Sequence, residues 1–269
     1  MFQPADIARF QEDGFLRGPQ VLSAAEVEEL RGELDRVIAD HGRPGRPQPM
    51  QLVNLTGKAD APVWQVVNIW QASEAFRRLV HHPAIARGAA QLLGASELRI
   101  WHDQVQYKPK AQGGVNMWHQ DSPYWPALQP KDQQITAWVA LDDANADNGC
   151  MSMVPGSHQW GNQIEFLHTL KAFDAMPSQF AEHPIQVRLA PVPCGAVHFH
   201  HSLTWHGSHA NTSQRPRRAL AIHFMSGQTR YHAAGSHVMK RLIQVADGEV
   251  LSGDTFPLVW SAALVNSAR

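Results

Sequence analysis

His119-Gln120-Asp121 is the one place in the chain where an acidic residue follows a histidine by two positions. In an extended segment, side chains at i and i+2 point to one face, so this pair can grip a single ion from a strand end. An imidazole nitrogen and a carboxylate oxygen, completed by a second histidine, take one face of an octahedral ion and leave three positions open. That arrangement suits non-haem Fe(II) oxygenases. Two of the open positions take a bidentate co-substrate and the third takes O₂. The tripeptide alone carries little weight. With 16 histidines in 269 residues, roughly one or two such spacings arise by chance, and a hydrogen-bonded pair at a strand end explains an isolated one equally well. The second histidine must come from elsewhere.

The elements that would position such a pair can be read along the chain. A short helix from about Pro4 to Asp13, closed by Gly14, is followed by Ser23-Ala24-Ala25-Glu26, a capping box that opens a second helix. Val27, Leu30, Leu34 and Val37 recur at helical spacing, and His41-Gly42 ends the pattern. Gly42 to Pro49 reads as a loop. Further helices are expected over Ser73 to Val80 and over Pro83 to Leu93, the latter with Pro at its first position and Gly94 past its end. From Leu98 the texture changes to short β-branched and aromatic runs separated by Pro, Gly, Asn and Asp. Strands are expected at Leu98 to Tyr107, Gln134 to Leu141, Cys150 to Val154, Gln186 to Leu189, Ala196 to His200 and Arg218 to Met225. Strands without alternating helices point to an antiparallel sandwich or barrel such as a jelly roll. The expectation is one mainly β domain over 1–269: a helical N-terminal part (about 1–95), a jelly-roll core (about 96–230) and a C-terminal extension (231–269).

Lys+Arg 23 against Asp+Glu 24 gives a net charge of −1, with no long run of either sign, which argues against nucleic acid or an anionic membrane surface as partner. A small-molecule substrate is the expectation. The N-terminus carries Asp6 early with no apolar run after it, and no stretch approaches the roughly 18 apolar residues of a membrane span. Cys150 and Cys194 form no CxxC pair, so a reduced, cytoplasmic setting is the default. Nothing in the sequence sets an oligomeric state.

The second segment of interest runs Gly195 to Ser208, ending His201-Ser202-Leu203-Thr204-Trp205-His206-Gly207-Ser208, with Arg217 eleven residues beyond His206. Together with Trp118-His119-Gln120-Asp121, this strongly resembles the phytanoyl-CoA dioxygenase family. Asp13-Gly14-Phe15 resembles the family's N-terminal entry, and Asn148-Gly149-Cys150 through Val154-Pro155-Gly156-Ser157-His158 resembles the strand and turn between its metal motifs. The resemblance implies a double-stranded β-helix that is cupin-like, Fe(II) held by His119, Asp121 and His206, and 2-oxoglutarate anchored through its distal carboxylate by Arg217. A guanidinium is always charged and offers a planar fork to a carboxylate, so the residue type agrees. Ser208 can add a hydroxyl donor to the same carboxylate, and by family position Gln104 and Trp138 join the co-substrate pocket, although Trp138 equally suits a core. The chemistry implied is consumption of O₂ and 2-oxoglutarate, release of succinate and CO₂, and oxidation of a substrate C–H bond. Halogenating relatives carry a small residue where Asp121 stands, so the carboxylate argues for hydroxylation or a related oxidation.

The remaining residues sort less sharply. Trp125 is the first candidate for substrate contact by family position, Asn68 a second, and His200 the one histidine of its strand expected to face the pocket. His198, His201 and His209 read as non-ligands, and His158 as a turn residue. Trp118, Tyr124, Trp70 and Phe224 fit a pocket wall or a core equally well. Alternation lets Arg217 point inward while Arg218 points out, and the alternative register makes Arg218 the anchor. Competing functions are a catalytically silent cupin-like ligand-binding protein and a metal-dependent hydrolase or isomerase that uses the ion as a Lewis acid. The complete motif set with Arg217 counts against the first.

Overall fold

The computed structural model describes residues 2–60, 62–111 and 113–263. The capping residues do what their types dictate. Gly14 takes a left-handed conformation and closes Pro4–Asp13. At Ser23, the Glu26 N–H donates to the hydroxyl while the Ser23 N–H donates to the Glu26 carboxylate, opening Ala24–Ala39. Glu74–Val80 and Pro83–Leu93 follow, the second closed by left-handed Gly94.

Two antiparallel sheets face each other. The larger runs Phe15–Gln20, Ala196–His201, Gln134–Ala140, Arg217–Ser226, Glu97–Lys108, Trp64–Val67 and Gln51–Asn54, with Leu258–Ser261 also paired to Glu97–Lys108. The smaller runs Arg188–Ala190, Met151–Met153, His206–Ser208 and Asn116–His119. This is the jelly roll of a double-stranded β-helix. Alternation along the large sheet divides its side chains: Ile135, Ala137, Val139, Leu220, Ile222 and Phe224 pack against the helices. Their neighbours Thr136, Trp138, Arg217, Ala221 and His223 face the interior between the sheets.

Strand Glu97–Lys108 departs from simple alternation. His102 pairs with His223 but Ile100 pairs with Phe224, so Trp101 is an extra residue in the ladder. This bulge inverts the alternation. Leu98 and Ile100 join the helix-facing core, whereas His102, Gln104 and Gln106 turn to the other side.

Three strands lie where only helix and loop were expected: Phe15–Gln20, Gln51–Asn54 and Trp64–Val67. The first contains Gly18-Pro19, which reads as a turn, yet it is the edge of its sheet, where proline is tolerated. The C-terminal part is likewise woven in. Met239, Leu251 and Phe256 pack on Trp101 and Trp125, and Leu258–Ser261 adds to the large sheet. Residues 264–269 of the expected extension lie outside the described residues. No helix among the described residues is long and apolar enough to cross a membrane.

Candidate active site

The small sheet brings the histidine and carboxylate motifs together. His119 and His206 are directly opposed Cα partners on neighbouring antiparallel strands, with ring centroids 4.1 Å apart. Asp121 lies beyond the strand end, its backbone helical at the start of the turn Ser122–Tyr124. The extended His-X-Asp face expected from the sequence is therefore a strand end followed by a turn. The turn swings the carboxylate back, placing Oδ1 3.9 Å from His119 Nε2 and 3.7 Å from His206 Nε2. One donor atom from each of the three residues lies within 4.8 Å of the others.

Hydrogen bonds aim these atoms. His119 Nδ1 donates to the Met117 carbonyl at 2.7 Å and His206 Nδ1 to the Thr204 carbonyl at 2.9 Å, so each Nε2 keeps its lone pair for the centre. Asp121 Oδ2 accepts from Thr136 Oγ1 at 2.7 Å and from His200 Nε2 at 3.2 Å, which leaves Oδ1 turned toward the two imidazoles. Burial, with the neighbouring His206, pushes His119 down to about 4, and burial pushes His206 to about 4. Burial opposes ionisation of Asp121, but His206, His200 and His223 hold its pKa well below the usual carboxylate value. Two neutral imidazoles beside an ionised carboxylate form the donor set that non-haem iron takes.

A small cavity of about 20 Å³ extends inward from this cluster, and Gln104, Trp138, His200, Ser208 and Arg217 all border it. Arg217 is 1 % exposed, and no carboxylate among the described residues forms an ion pair with it. Its Nε has no partner, Nη1 reaches only the Gln106 carbonyl at 3.4 Å, and the guanidinium lies 5.5 Å from the Trp138 ring centroid. Burial lowers its pKa to about 10, which leaves it charged near neutrality. A buried, unpaired guanidinium fits a carboxylate ligand. Arg218 points the other way and forks onto Asp142 with two contacts of 2.9 Å.

Ser208 has a partner that its sequence position did not show, and Asn68 lies elsewhere. The Ser208 hydroxyl is held at 2.6 Å by Lys108 Nζ, a buried amine that also donates to the Ser208 and His209 carbonyls. Burial, reinforced by Arg217, draws the Lys108 pKa well below its usual value. In that contact Ser208 Oγ accepts, which leaves its O–H to donate, and Ser208 borders the same small cavity as Arg217. Asn68 borders neither cavity. Fully buried with φ 52, it accepts from the Asp103 N–H and contacts Met239 Sδ, holding the turn into Ile69–Gln71. His200 faces the interior as expected, but its visible partner is Asp121. Thr136, His223 and Lys108 escaped the sequence reading because none sits in a recognisable spacing; only strand pairing brings them to the centre.

On the other side of His119 and Asp121 opens a cavity of about 710 Å³, with Trp125, His102, His237 and Tyr124 in its wall. Trp125 is both wall and core: it is 3 % exposed and packs in a T-shape against His223 and His102.

Comparison with known proteins gives one consistent result. The family model described as Phytanoyl-CoA dioxygenase (PhyH) matches residues 10–219. Peroxisomal phytanoyl-CoA dioxygenase of Bos taurus is 26 % identical over 82 % of this chain and 68 % of its own. Ectoine dioxygenase of Halomonas elongata is 29 % identical over 79 % of this chain and 67 % of its own. The crystal structure of the non-haem α-ketoglutarate-dependent carbocyclase SnoK from nogalamycin biosynthesis superimposes with a TM-score of 0.79 at 30 % identity, covering 96 % of each chain.

Proposed function

The chain belongs to the phytanoyl-CoA dioxygenase family and is an Fe(II)- and 2-oxoglutarate-dependent dioxygenase; from that premise we propose that it oxidises, by hydroxylation, a C–H bond of a small-molecule metabolite and releases succinate and CO₂. What supports this reading is one juxtaposition: a two-histidine, one-carboxylate donor set and an unpaired buried guanidinium border the same small cavity.

In this proposal His119, Asp121 and His206 hold the iron, and Arg217 takes the distal carboxylate of 2-oxoglutarate. The iron supplies O₂ activation coupled to decarboxylation of the co-substrate. The protein supplies orientation. Met117 and Thr204 carbonyls keep each Nδ1 protonated, so both Nε2 atoms face the ion. Thr136 and His200 hold Asp121 Oδ2. Trp138 lies against the Arg217 guanidinium, and Gln104 borders the same cavity. Trp125 closes the inner end of the larger cavity, where a substrate would lie beside the centre and exclude water from it. We further propose that the chain works as one oxygenase domain, because strands from its first and last parts complete the same sheet. A cytoplasmic setting is part of the same proposal, supported by two cysteines that stand free in the fold.

The test is succinate formation by protein loaded with Fe(II), 2-oxoglutarate, ascorbate and O₂. Iron-dependent succinate release that Arg217→Ala suppresses is the expected result. Absence of any iron-dependent 2-oxoglutarate consumption would overturn it in favour of a silent binding protein.

A further inference from the structure

The larger cavity differs in character from the cavity that holds Arg217. Among the described residues in its wall there is no lysine or arginine, and the only carboxylate is Asp121, already committed to the cluster. Apart from the metal centre itself, an anion bound here would find no lysine or arginine to pair with, and a cation would find no carboxylate other than Asp121. Burying an unpaired charge is strongly unfavourable.

The other polar groups present are amides, hydroxyls and imidazoles, and several lack partners. Gln65, Gln104, Gln106 and Asn116 line one side. Gln65 Nε2 donates to Gln104 Oε1 at 2.7 Å and Asn116 Nδ2 to Gln106 Oε1 at 3.3 Å. These bonds occupy the amide oxygens of Gln104 and Gln106, both of which line the cavity, and their NH₂ groups make no hydrogen bond among the described residues. At the inner end stands His102, 3 % exposed, with neither ring nitrogen hydrogen-bonded. Buried polar atoms are normally paired; both His102 nitrogens are enclosed by the rings of Trp101, Trp125, His223 and His237, and a rotation of the imidazole toward the cavity would give one of them to a ligand's polar group. The rim is apolar. Leu55, Val115, Met117 and Tyr124 are large side chains between 38 % and 49 % exposed, and all four line this cavity.

We propose that the substrate is an uncharged, largely apolar molecule of drug-like size carrying oxygen acceptors, taken free rather than as a coenzyme A thioester, with one polar group on His102. This rests on the oxygenase reading above and deepens it. Apolar skeleton against the rim, acceptor oxygens against the glutamine amides and a hydroxyl or carbonyl at His102 satisfy every unpaired group named. A cavity of about 710 Å³ lies within the range of about 300–1,000 Å³ typical of drug-sized ligands.

The experiment is calorimetric titration of protein loaded anaerobically with Fe(II) and 2-oxoglutarate. The probes are two matched pairs, hydrocortisone with its 21-phosphate and naringenin with its 7-glucuronide, alongside palmitoyl-coenzyme A. The expected result is that the uncharged member of at least one pair binds at least about tenfold tighter than its anionic partner and the thioester. His102→Phe, which keeps a ring but removes both nitrogens, should weaken that binding about tenfold with iron content retained. If His102→Phe does not fold, Val115→Asp at the exposed rim should weaken it similarly. The proposal is overturned if the anionic partner or the thioester binds as tightly, if neither uncharged probe binds, or if the variants bind like the parent. Succinate formation is measured in the same preparations after O₂ is admitted. Its absence would defeat the oxygenase reading, while the order of affinities decides the substrate class independently.

Discussion

Thr136 Oγ1 lies 2.7 Å from Asp121 Oδ2, and this contact settles which carboxylate oxygen faces His119 and His206. Thr136 also sits 2.8 Å from His223 Nδ1, so the hydroxyl donates to Asp121 and accepts from the imidazole. Thr136→Val keeps the shape and removes the bridge. Iron affinity should fall by about 10- to 100-fold, as for other residues that orient a metal ligand. Iron titration of the folded variant checks this, and unchanged affinity would mean that the Asp121 orientation is set elsewhere.

His119→Ala, Asp121→Ala and His206→Ala should each abolish iron-dependent succinate formation, since each removes one of three donors. Metal that binds only the folded chain raises its melting temperature. Added Fe(II) under anaerobic conditions should therefore stabilise the parent protein and none of the three variants, and a chelator should reverse the effect. A variant that still responds to Fe(II) like the parent has not lost a ligand.

Arg217→Ala should weaken 2-oxoglutarate binding by about 2–5 kcal/mol, because a desolvated carboxylate loses its charge-assisted partner. Iron binding should persist. Arg218→Ala breaks the fork onto Asp142 and should lower stability while leaving co-substrate affinity close to the parent's. Measuring 2-oxoglutarate affinity for both variants separates inward from outward arginine, and a larger loss in Arg218→Ala would reverse the assignment.

Trp125→Phe should leave 2-oxoglutarate binding intact and uncouple the reaction, so that more co-substrate is consumed per oxidised product. A poorly held substrate offers no correctly placed C–H bond. Because Trp125 also packs in the core with Trp101 and Met239, the melting temperature has to be measured beside the coupling ratio. An unchanged ratio in a destabilised protein assigns the ring to packing alone.

Asp103 supplies a pH test of stability. Burial raises its carboxyl to about 8, and Oδ2 has no partner. Between the ordinary carboxylate pKa and about 8, the folded state binds a proton that the unfolded state has released. Stability contributed by the protonated group is therefore complete at acid pH and declines as pH rises through that window, with a slope of up to about 1.4 kcal/mol per pH unit. Asp103→Asn mimics the protonated form and should remove this decline, gaining on the parent as pH rises from 5 to 8. Thermal melts across the range check it, and parallel curves would show that Asp103 is ionised in the fold.

What local chemistry controls, the sequence determined by itself. Helix starts at Ser23 and Pro83 follow from caps and proline, because the groups that satisfy a helix end lie within a few residues of it. Alternation set Arg217 and Arg218 on opposite faces, while strand pairing decided that Arg217 is the inward one. His119, Asp121 and His206 were legible because their spacing and flanking residues resemble a known family, and the fold then brings them together. Tertiary structure decided what depends on pairing between distant segments. The bulge at Trp101 inverts the face of every residue after it, placing His102, Gln104 and Gln106 in the cavity, and no residue type announces it. Lys108 captures Ser208, and Thr136 and His223 support Asp121, across separations that no spacing rule reaches. Asn68 shows the same limit from the other side: a polar residue that suits a binding site in one dimension serves a turn in three. Side-chain function is set by the face to which a backbone turns and by what stands opposite, and those are properties of the paired sheets rather than of the local chain.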